Sequence, residues 1–419
     1  MRIREFRALD DDDRPVVDRL VAGLGEDAAR VLAFLLLRDE VEEGPAPALA
    51  LRIGTGLSRT AMMAAVGELE TAGVVERTTV PEEGPGRPPA AWRPIDGLER
   101  TARRVDEHHA AELVAEARRL WAVEPAEDPG RAPDTLTLGL NWRPNGLHVP
   151  FHAAEVAGRY DAAGLSVGIE HYEGSHRALA AVRAGEADVG LVGAATVLRA
   201  RAAGDPVVPI AVAYRRAMAV LYTVRGTFGG ALSGVGQLRG RRVGMPAGSE
   251  TGILGRLFLN QVALDGSVRI VDTGGEEREA LLSGEVDVVT GSFSDPRELE
   301  RRGMAVDVLT VADRFPIYGP TLVVRAGTLV EREGALEAFL AGTTAGWAEA
   351  CRDPTAAAER IAARSDEPAE RVVETFGTAS REFGGGREEG WGRQEQEPWD
   401  RLRAALEQGA LLADGTTDA

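Results

Sequence analysis

Four residues able to grip a flat polar ring fall within one stretch of eight, NWRPNGLH: Asn141, Trp142, Asn145 and His148. An indole offers a stacking face, and an amide offers a donor and an acceptor side by side. Together they suit a flat, nitrogen-rich heteroaromatic ligand. Glu250, in PAGSETG, adds a carboxylate that can accept from a ring amino group and a neighbouring N–H together. It serves equally as a helix-start acid. Tyr172, Tyr214 and Tyr318 are further wall candidates, although each such residue is more often core than contact.

A second set of residues suits nucleic acid. Ser58, Arg59 and Thr60 open a helical pattern, Arg52 lies just upstream, and Arg87 and Arg93 flank a turn-rich return. Arginine is the commonest reader of base edges, and first-turn polar residues meet phosphates. The chain carries a formal charge of −18, which opposes DNA overall. Between positions 49 and 104, however, eight arginines face seven acids.

Other chemistry is excluded. The chain has no lysine, so Schiff-base work on pyridoxal phosphate and P-loop phosphate binding are closed to it. The single Cys351 rules out an internal disulfide and a Cys-rich metal knuckle. His148 and His152 stand four apart with Pro150 between them, which disfavours a helical metal face even with His171 and His176 near in sequence. No GxSxG elbow surrounds Ser249. The expectation is no catalytic set, no metal and no cofactor.

These residues need elements to hold them. Positions 27–40 repeat on a helical period, 48–53 form a short second helix, and Ser58 caps a third that ends at Gly73. VVERTTV and AAWRPI read as a strand pair about a Pro/Gly turn. Three helices and a hairpin in that order predict a winged helix-turn-helix over 1–96, with 1–20 a charged leader. Residues 97–123 predict one long helix with an apolar stripe, on which His108 and His109 are surface residues. Residues 124–134 are a Pro/Gly-rich linker.

From 135 to 419 strands and helices alternate. LAAVRAGEADVG (179–190) is echoed by ALLSGEVDVV (280–289): a helix end, a Gly stop, an acidic turn and a buried strand each time. Two such units predict two α/β lobes facing a cleft at the strands' carboxyl ends. The helical tail from Leu329 would pack across both.

Two resemblances follow. GLSRTAMMAAVGELETAGVVERT with GRPPAAWRP resembles haloarchaeal and related archaeal regulators, which implies DNA-reading homodimers with the long helix, 98–121, as their dimerisation arm. LGLNWRPNGLHVPFHAAEVAGRYDAAGLSVGIEHYEGSHRALAAVRAGEADVGLVG and the closing WGRQEQEPWDRLRAALEQGALL resemble the thiamine-pyrimidine-precursor family of fungal pyrimidine synthases and bacterial periplasmic binding proteins. That resemblance implies a type II periplasmic-binding-protein-like fold over 138–412 and a pyrimidine ligand. The synthases' lysine and Cys cluster are missing here, so their activity is not carried over.

The expectation is therefore an α/β chain that is not an enzyme: a ligand-responsive regulator of thiamine genes, with operator DNA, a small-molecule effector and a second copy as partners. An enzyme of thiamine-pyrimidine metabolism and a regulator sensing a sulfonate- or nitrate-like anion remain the alternatives. The charged N-terminus MRIREFRALDDDDRP holds no apolar secretion segment, and no run of about 18 apolar residues occurs. Both features point to the cytoplasm. The acid-rich, lysine-free composition suits a halophile, as it would a GC-rich genome.

Overall fold

The computed structural model describes residues 8–41, 44–80, 88–125, 135–384 and 387–412. The chain opens with helices α1 (Arg14–Leu24) and α2 (Glu26–Glu40). A short strand β1 (Ala46–Pro47) leads into α3 (Ala48–Thr55) and α4 (Arg59–Thr71). Strands β2 (Val75–Thr79) and β3 (Ala90–Pro94) follow, then the 24-residue α5 (Leu98–Trp121). The three strands form one antiparallel sheet in the order β1-β3-β2.

Leu32, Leu35, Leu51, Met62, Leu69 and Trp92 fill the core beneath that sheet. Position 54 must be glycine, because a Cβ there would lie 2.0 Å from the Phe34 ring. Ser58 caps α4, its Oγ accepting from the Ala61 N–H at 3.1 Å. Arg87 and the turn at 81–87 lie outside the described residues, as does most of the expected linker, 126–134.

Three expectations are corrected in this part of the chain. Residues 14–24 are no leader: α1 buries Val17, Leu20 and Val21 against the core. The apolar stripe of α5 is no free dimerisation arm, because Ala110, Leu113, Val114 and Trp121 are buried within this same chain. His109 is no surface residue. It is fully buried and its ring Nε2 lies 2.6 Å from the Trp391 carbonyl.

The remainder alternates as β4 (Thr135–Leu140), α6 (Val149–Val156), α7 (Arg159–Ala162), β5 (Ser166–His171), α8 (Ser175–Ala184), β6 (Val189–Gly193), α9 (Ala194–Ala202) and β7 (Val207–Val212). A second round runs β8 (Ala219–Val224), α10 (Arg225–Phe228), β9 (Arg242–Met245), α11 (Glu250–Gln261), β10 (Arg269–Asp272), α12 (Glu277–Ser283), β11 (Val288–Ser292), α13 (Asp295–Arg301), β12 (Val306–Thr310) and α14 (Val311–Arg314). The chain then returns through β13 (Pro320–Arg325) to α15 (Ala326–Glu331), α16 (Glu333–Arg352), α17 (Thr355–Ala362), α18 (Ala369–Glu382) and α19 (Gln396–Gln408).

Two five-stranded sheets result, ordered β5-β4-β6-β13-β7 and β10-β9-β11-β8-β12. Each is parallel apart from strands next to a crossover: β8 and β13 run antiparallel to both neighbours. Segments 213–218 and 315–319 carry the chain between the lobes. The sequence echo is a structural one. Asp188 accepts from the Thr137 N–H on β4 at 2.8 Å, and Asp287 accepts from the Arg242 N–H on β9 at 2.8 Å. In each lobe the acidic turn therefore pins the strand that opens the echoed unit, β4 in one and β9 in the other. Among the described residues no helix is long and apolar enough to cross a membrane.

Residues 387–395 form a strap. On one side Trp391 N–H donates to Ala22 O at 2.7 Å, Arg393 pairs with Glu112, and Arg387 pairs with Asp18 and Glu26. On the other, Trp391 Nε1 donates to Ala213 O at 3.2 Å, and Glu395 N–H donates to the Tyr318 hydroxyl at 2.9 Å. The strap thus ties α1 and α5 to both crossovers.

Burial holds the His109 imidazole down to about 4, with Arg393 adding to the effect. The unfolded chain then takes up the proton first, so this histidine's contribution to stability falls as pH drops from about 6.5 towards 4, by up to ~1.4 kcal/mol per pH unit. His109→Gln keeps a donor for Trp391 O but does not titrate. Urea midpoints from pH 7 to pH 4 are expected to decline less steeply in the variant than in the native chain; parallel slopes would contradict this.

Candidate functional site

The cleft is built from strand ends and the helices that follow them. Asn141 directly follows β4, its amide nitrogen 3.5 Å from Ser175 Oγ at the start of α8. Ser175 Oγ in turn accepts from the Gly193 N–H at 3.0 Å, where β6 turns into α9. Trp142 stands 52% exposed, while its backbone carbonyl accepts from His171 Nδ1 at 2.8 Å. An indole left open beside a half-buried amide is the arrangement a stacked ring needs.

Glu250 comes from the other lobe. It opens α11 behind the Ser249 cap, and its carboxylate reaches the start of α9. There it accepts from Ala195 N–H at 3.1 Å, Thr196 N–H at 2.9 Å and Thr196 Oγ at 2.6 Å. Burial pushes this carboxyl up, and the three donors pull against that. The structure places Glu250 as the helix-start acid of α11. The groups it accepts from belong to the protein.

The structure does not bring the other sequence-chosen residues to this point. Asn145 caps a short turn, accepting from Leu147 N–H at 2.8 Å and donating to Arg143 O at 2.8 Å. Tyr214 is fully buried, its hydroxyl donating to Leu147 O at 2.9 Å with its ring against Trp347. Tyr318 is buried against Trp399 at the crossover. Tyr172 lies over Gly139 and Ala187. Tyr214 and Tyr318 are buried packing residues, whereas Tyr172 is only half-buried.

His148 is fully buried as well. Its ring is 5.3 Å from that of His171, which is 5.9 Å from that of His152. Neither His148 ring nitrogen has a partner among the described residues, and burial, with His171 and His152, holds the ring well below its ordinary value. His152 Nδ1 lies 3.2 Å from Glu155, which is held by Arg360. Among the described residues no group of three His, Cys, Asp or Glu side chains is placed to hold a metal.

Sequence reasoning missed Ser175, Gly193, Ala195 and Thr196. Their signal was the end of a buried strand running into a small-residue helix start, GLVGAAT, which is where α/β sheets present free N–H groups. Cys351 is exposed. The larger described cavity, about 500 Å³, lies outside the cleft, between α5 and the strap, with Glu112, Arg119 and Glu395 in its wall.

In the N-terminal part Arg52, Ser58, Arg59, Thr60 and Arg93 are all exposed. Met63, Ala64 and Gly67 continue the open face of α4. Arg93 pairs with Glu76 across β2 and β3.

A family model described as NMT1/THI5 like matches residues 145–357. The riboflavin-binding protein RibY of Chloroflexus aurantiacus is 25% identical over 245 residues, covering 55% of this chain and 68% of that protein. Among solved structures, the periplasmic aliphatic sulphonate binding protein SsuA of Escherichia coli superposes with a TM-score of 0.54 at 18% identity, covering 67% of this chain and 94% of that one. A Candida albicans gene product described as having the generic periplasmic binding protein fold gives 0.53 at 17%, covering 67% and 92%.

The C-terminal two-thirds is thus a periplasmic-binding-protein-like α/β fold, and its relatives are binding proteins rather than enzymes. The cytoplasmic expectation is overturned: the sulphonate-binding protein of Escherichia coli that shares this fold is periplasmic and points away from the cytoplasm. The haloarchaeal reading gains no support from them.

A Cβ on residue 193 would lie 2.1 Å from the Glu250 carboxyl carbon. Gly193→Ala is expected to expel Glu250 from the start of α9 and to cost ~1–3 kcal/mol. Urea denaturation checks this; a variant as stable as the native chain would contradict it.

Proposed function

This chain belongs to the NMT1/THI5-like family, and from that premise we propose that its cleft binds a flat nitrogen heterocycle, most simply a thiamine-type aminopyrimidine. The observation that carries the reading is Trp142, exposed beside Asn141 at the end of β4. The pyrimidine half of an isoalloxazine presents a similar edge, and RibY is named for binding riboflavin. A buried stack of this kind contributes more than its area alone. Titration with a hydroxymethylpyrimidine and with riboflavin should quench Trp142 fluorescence. Trp142→Ala should weaken binding about tenfold, or ~1.4 kcal/mol. Equal affinity in variant and native chain would remove the indole from the site.

A second reading attaches to the N-terminal part, favoured by a specific observation. Helices α2, α3 and α4 with the β1-β3-β2 sheet follow the order of a winged helix-turn-helix, and α4 leaves Arg59, Thr60, Met63 and Gly67 open. On this reading the open face enters the major groove of duplex DNA, and ligand binding in the cleft sets DNA affinity through the strap. A pairing of two copies on a palindromic site belongs to the same reading. The relatives' location lends it nothing, so it stands on this part of the chain. Fluorescence anisotropy with duplex DNA tests it. Affinity should fall steeply between 50 and 200 mM salt, and Arg59→Ala should weaken binding with cleft affinity unchanged. No DNA binding at about 50 mM salt would end the reading.

A further inference from the structure

Four imidazole nitrogens in one place go unanswered. Neither nitrogen of His148 has a partner among the described residues, nor has Nε2 of His152 or of His171, and all are shielded from water. His148 and His152 are fully buried, where a hydrogen bond left unmade is costly. The other ring nitrogens are taken. His171 Nδ1 donates to the Trp142 carbonyl at 2.8 Å, and His152 Nδ1 lies 3.2 Å from Glu155, itself held by Arg360.

Carbonyl and carboxylate oxygens only accept, so in both neutral rings Nδ1 carries the proton and Nε2 is a bare lone pair. Neutral His148 adds one N–H and one more lone pair. The cluster therefore sets three lone pairs against one donor, and no arrangement of the rings satisfies all of them. A cation is what such a set lacks. An imidazole whose far nitrogen is fixed by a carboxylate or a carbonyl is also the usual form of a metal-ligating histidine, since that second bond sets the tautomer and aims the ring.

Spacing already suits one pair. Two imidazoles on one tetrahedral ion, each nitrogen about 2.0–2.1 Å from it, place their ring centres roughly 5 Å apart. His148 and His171 stand at 5.3 Å. His152 lies parallel to His171 at 5.9 Å, and as the rings stand no three ligands meet at one point. Pro150 falls in the first turn of α6, where proline leaves a helix intact, so His148 and His152 keep their one-turn spacing. His171 is half-buried and gives an ion its way in.

We propose that His148 and His171 bind one divalent transition-metal ion of the zinc, nickel or copper class, with His152 Nε2 drawn in as a third ligand. Imidazole suits these ions, whereas magnesium and calcium prefer oxygen. The site is separate from the ring contact at Trp142 and meets it only through the bond from His171 to the Trp142 carbonyl. A bound ion therefore steadies the backbone that carries the indole.

Calorimetry of the untagged full chain with zinc chloride tests this, with magnesium chloride as the contrast and cobalt(II) absorption as a second readout. The native chain should take up one equivalent of zinc and no magnesium, and cobalt should show visible bands of nitrogen ligation. Loss of an outer-shell partner alone costs about 10–100-fold in metal affinity, so His148→Gln and His171→Gln should each weaken zinc binding by about tenfold or more. His152→Gln should weaken it as well. His176→Gln and Cys351→Ser, both altered at exposed positions, should leave it unchanged. His171→Gln changes a half-buried ring, so its metal-free urea midpoint should match that of the native chain and separate loss of site from loss of fold. No saturable zinc binding refutes the site. So does zinc binding that survives both His148→Gln and His171→Gln, or that is lost with His176 or Cys351. Full affinity in His152→Gln removes that residue from the ligand set.

Discussion

A carboxylate removed from water is costly unless several donors replace its hydration. Glu250 meets that condition only by leaving its own lobe, with two amides and a hydroxyl of α9 taking the place of solvent. It is one of several contacts between the lobes: Arg297 and Arg301 on α13 also pair with Glu374 on α18, and the Phe293 ring meets Phe383. The crossovers 213–218 and 315–319 carry the chain between the lobes, and α19 packs against both α9 and α11.

The strap carries the geometry further. Trp391 bonds to Ala22 on α1, to His109 on α5 and to Ala213 at a crossover, while Arg215 at that crossover pairs with Glu389 and Glu395. A rotation of one lobe about the crossovers pulls on the same segment that holds α1 and α5. Coupling between cleft and N-terminal part needs a shared element that both sides touch, and residues 387–395 supply one.

Local pattern made much of this readable. Ser58 before RTAMM, Gly73 after the helix, and the twin Gly–acid–strand echoes were all visible because each depends on neighbours a few residues away. The echoes gave the two lobes, and their acids turned out to pin Thr137 and Arg242. What stayed hidden depended on distant partners. The stripe of α5 showed that the helix was amphipathic, but not that β7 and α16 of the same chain would cover it. His109 looked like a surface residue until the strap, 282 positions away, was seen over it. Tyr214 and Tyr318 have the composition of ligand walls and the surroundings of core, a difference that only tertiary packing settles. Glu250 was legible as an acceptor, while the protein donors it serves were not.

The central claim is that the cleft between the lobes takes the ligand. Amide hydrogen exchange with and without a saturating hydroxymethylpyrimidine tests it most directly. The account predicts added protection centred on residues 140–142, 193–196 and 249–252, where both lobes meet. Saturable binding that protects only the cavity walls near Glu112 and Glu395, or leaves those three segments unchanged, would contradict it.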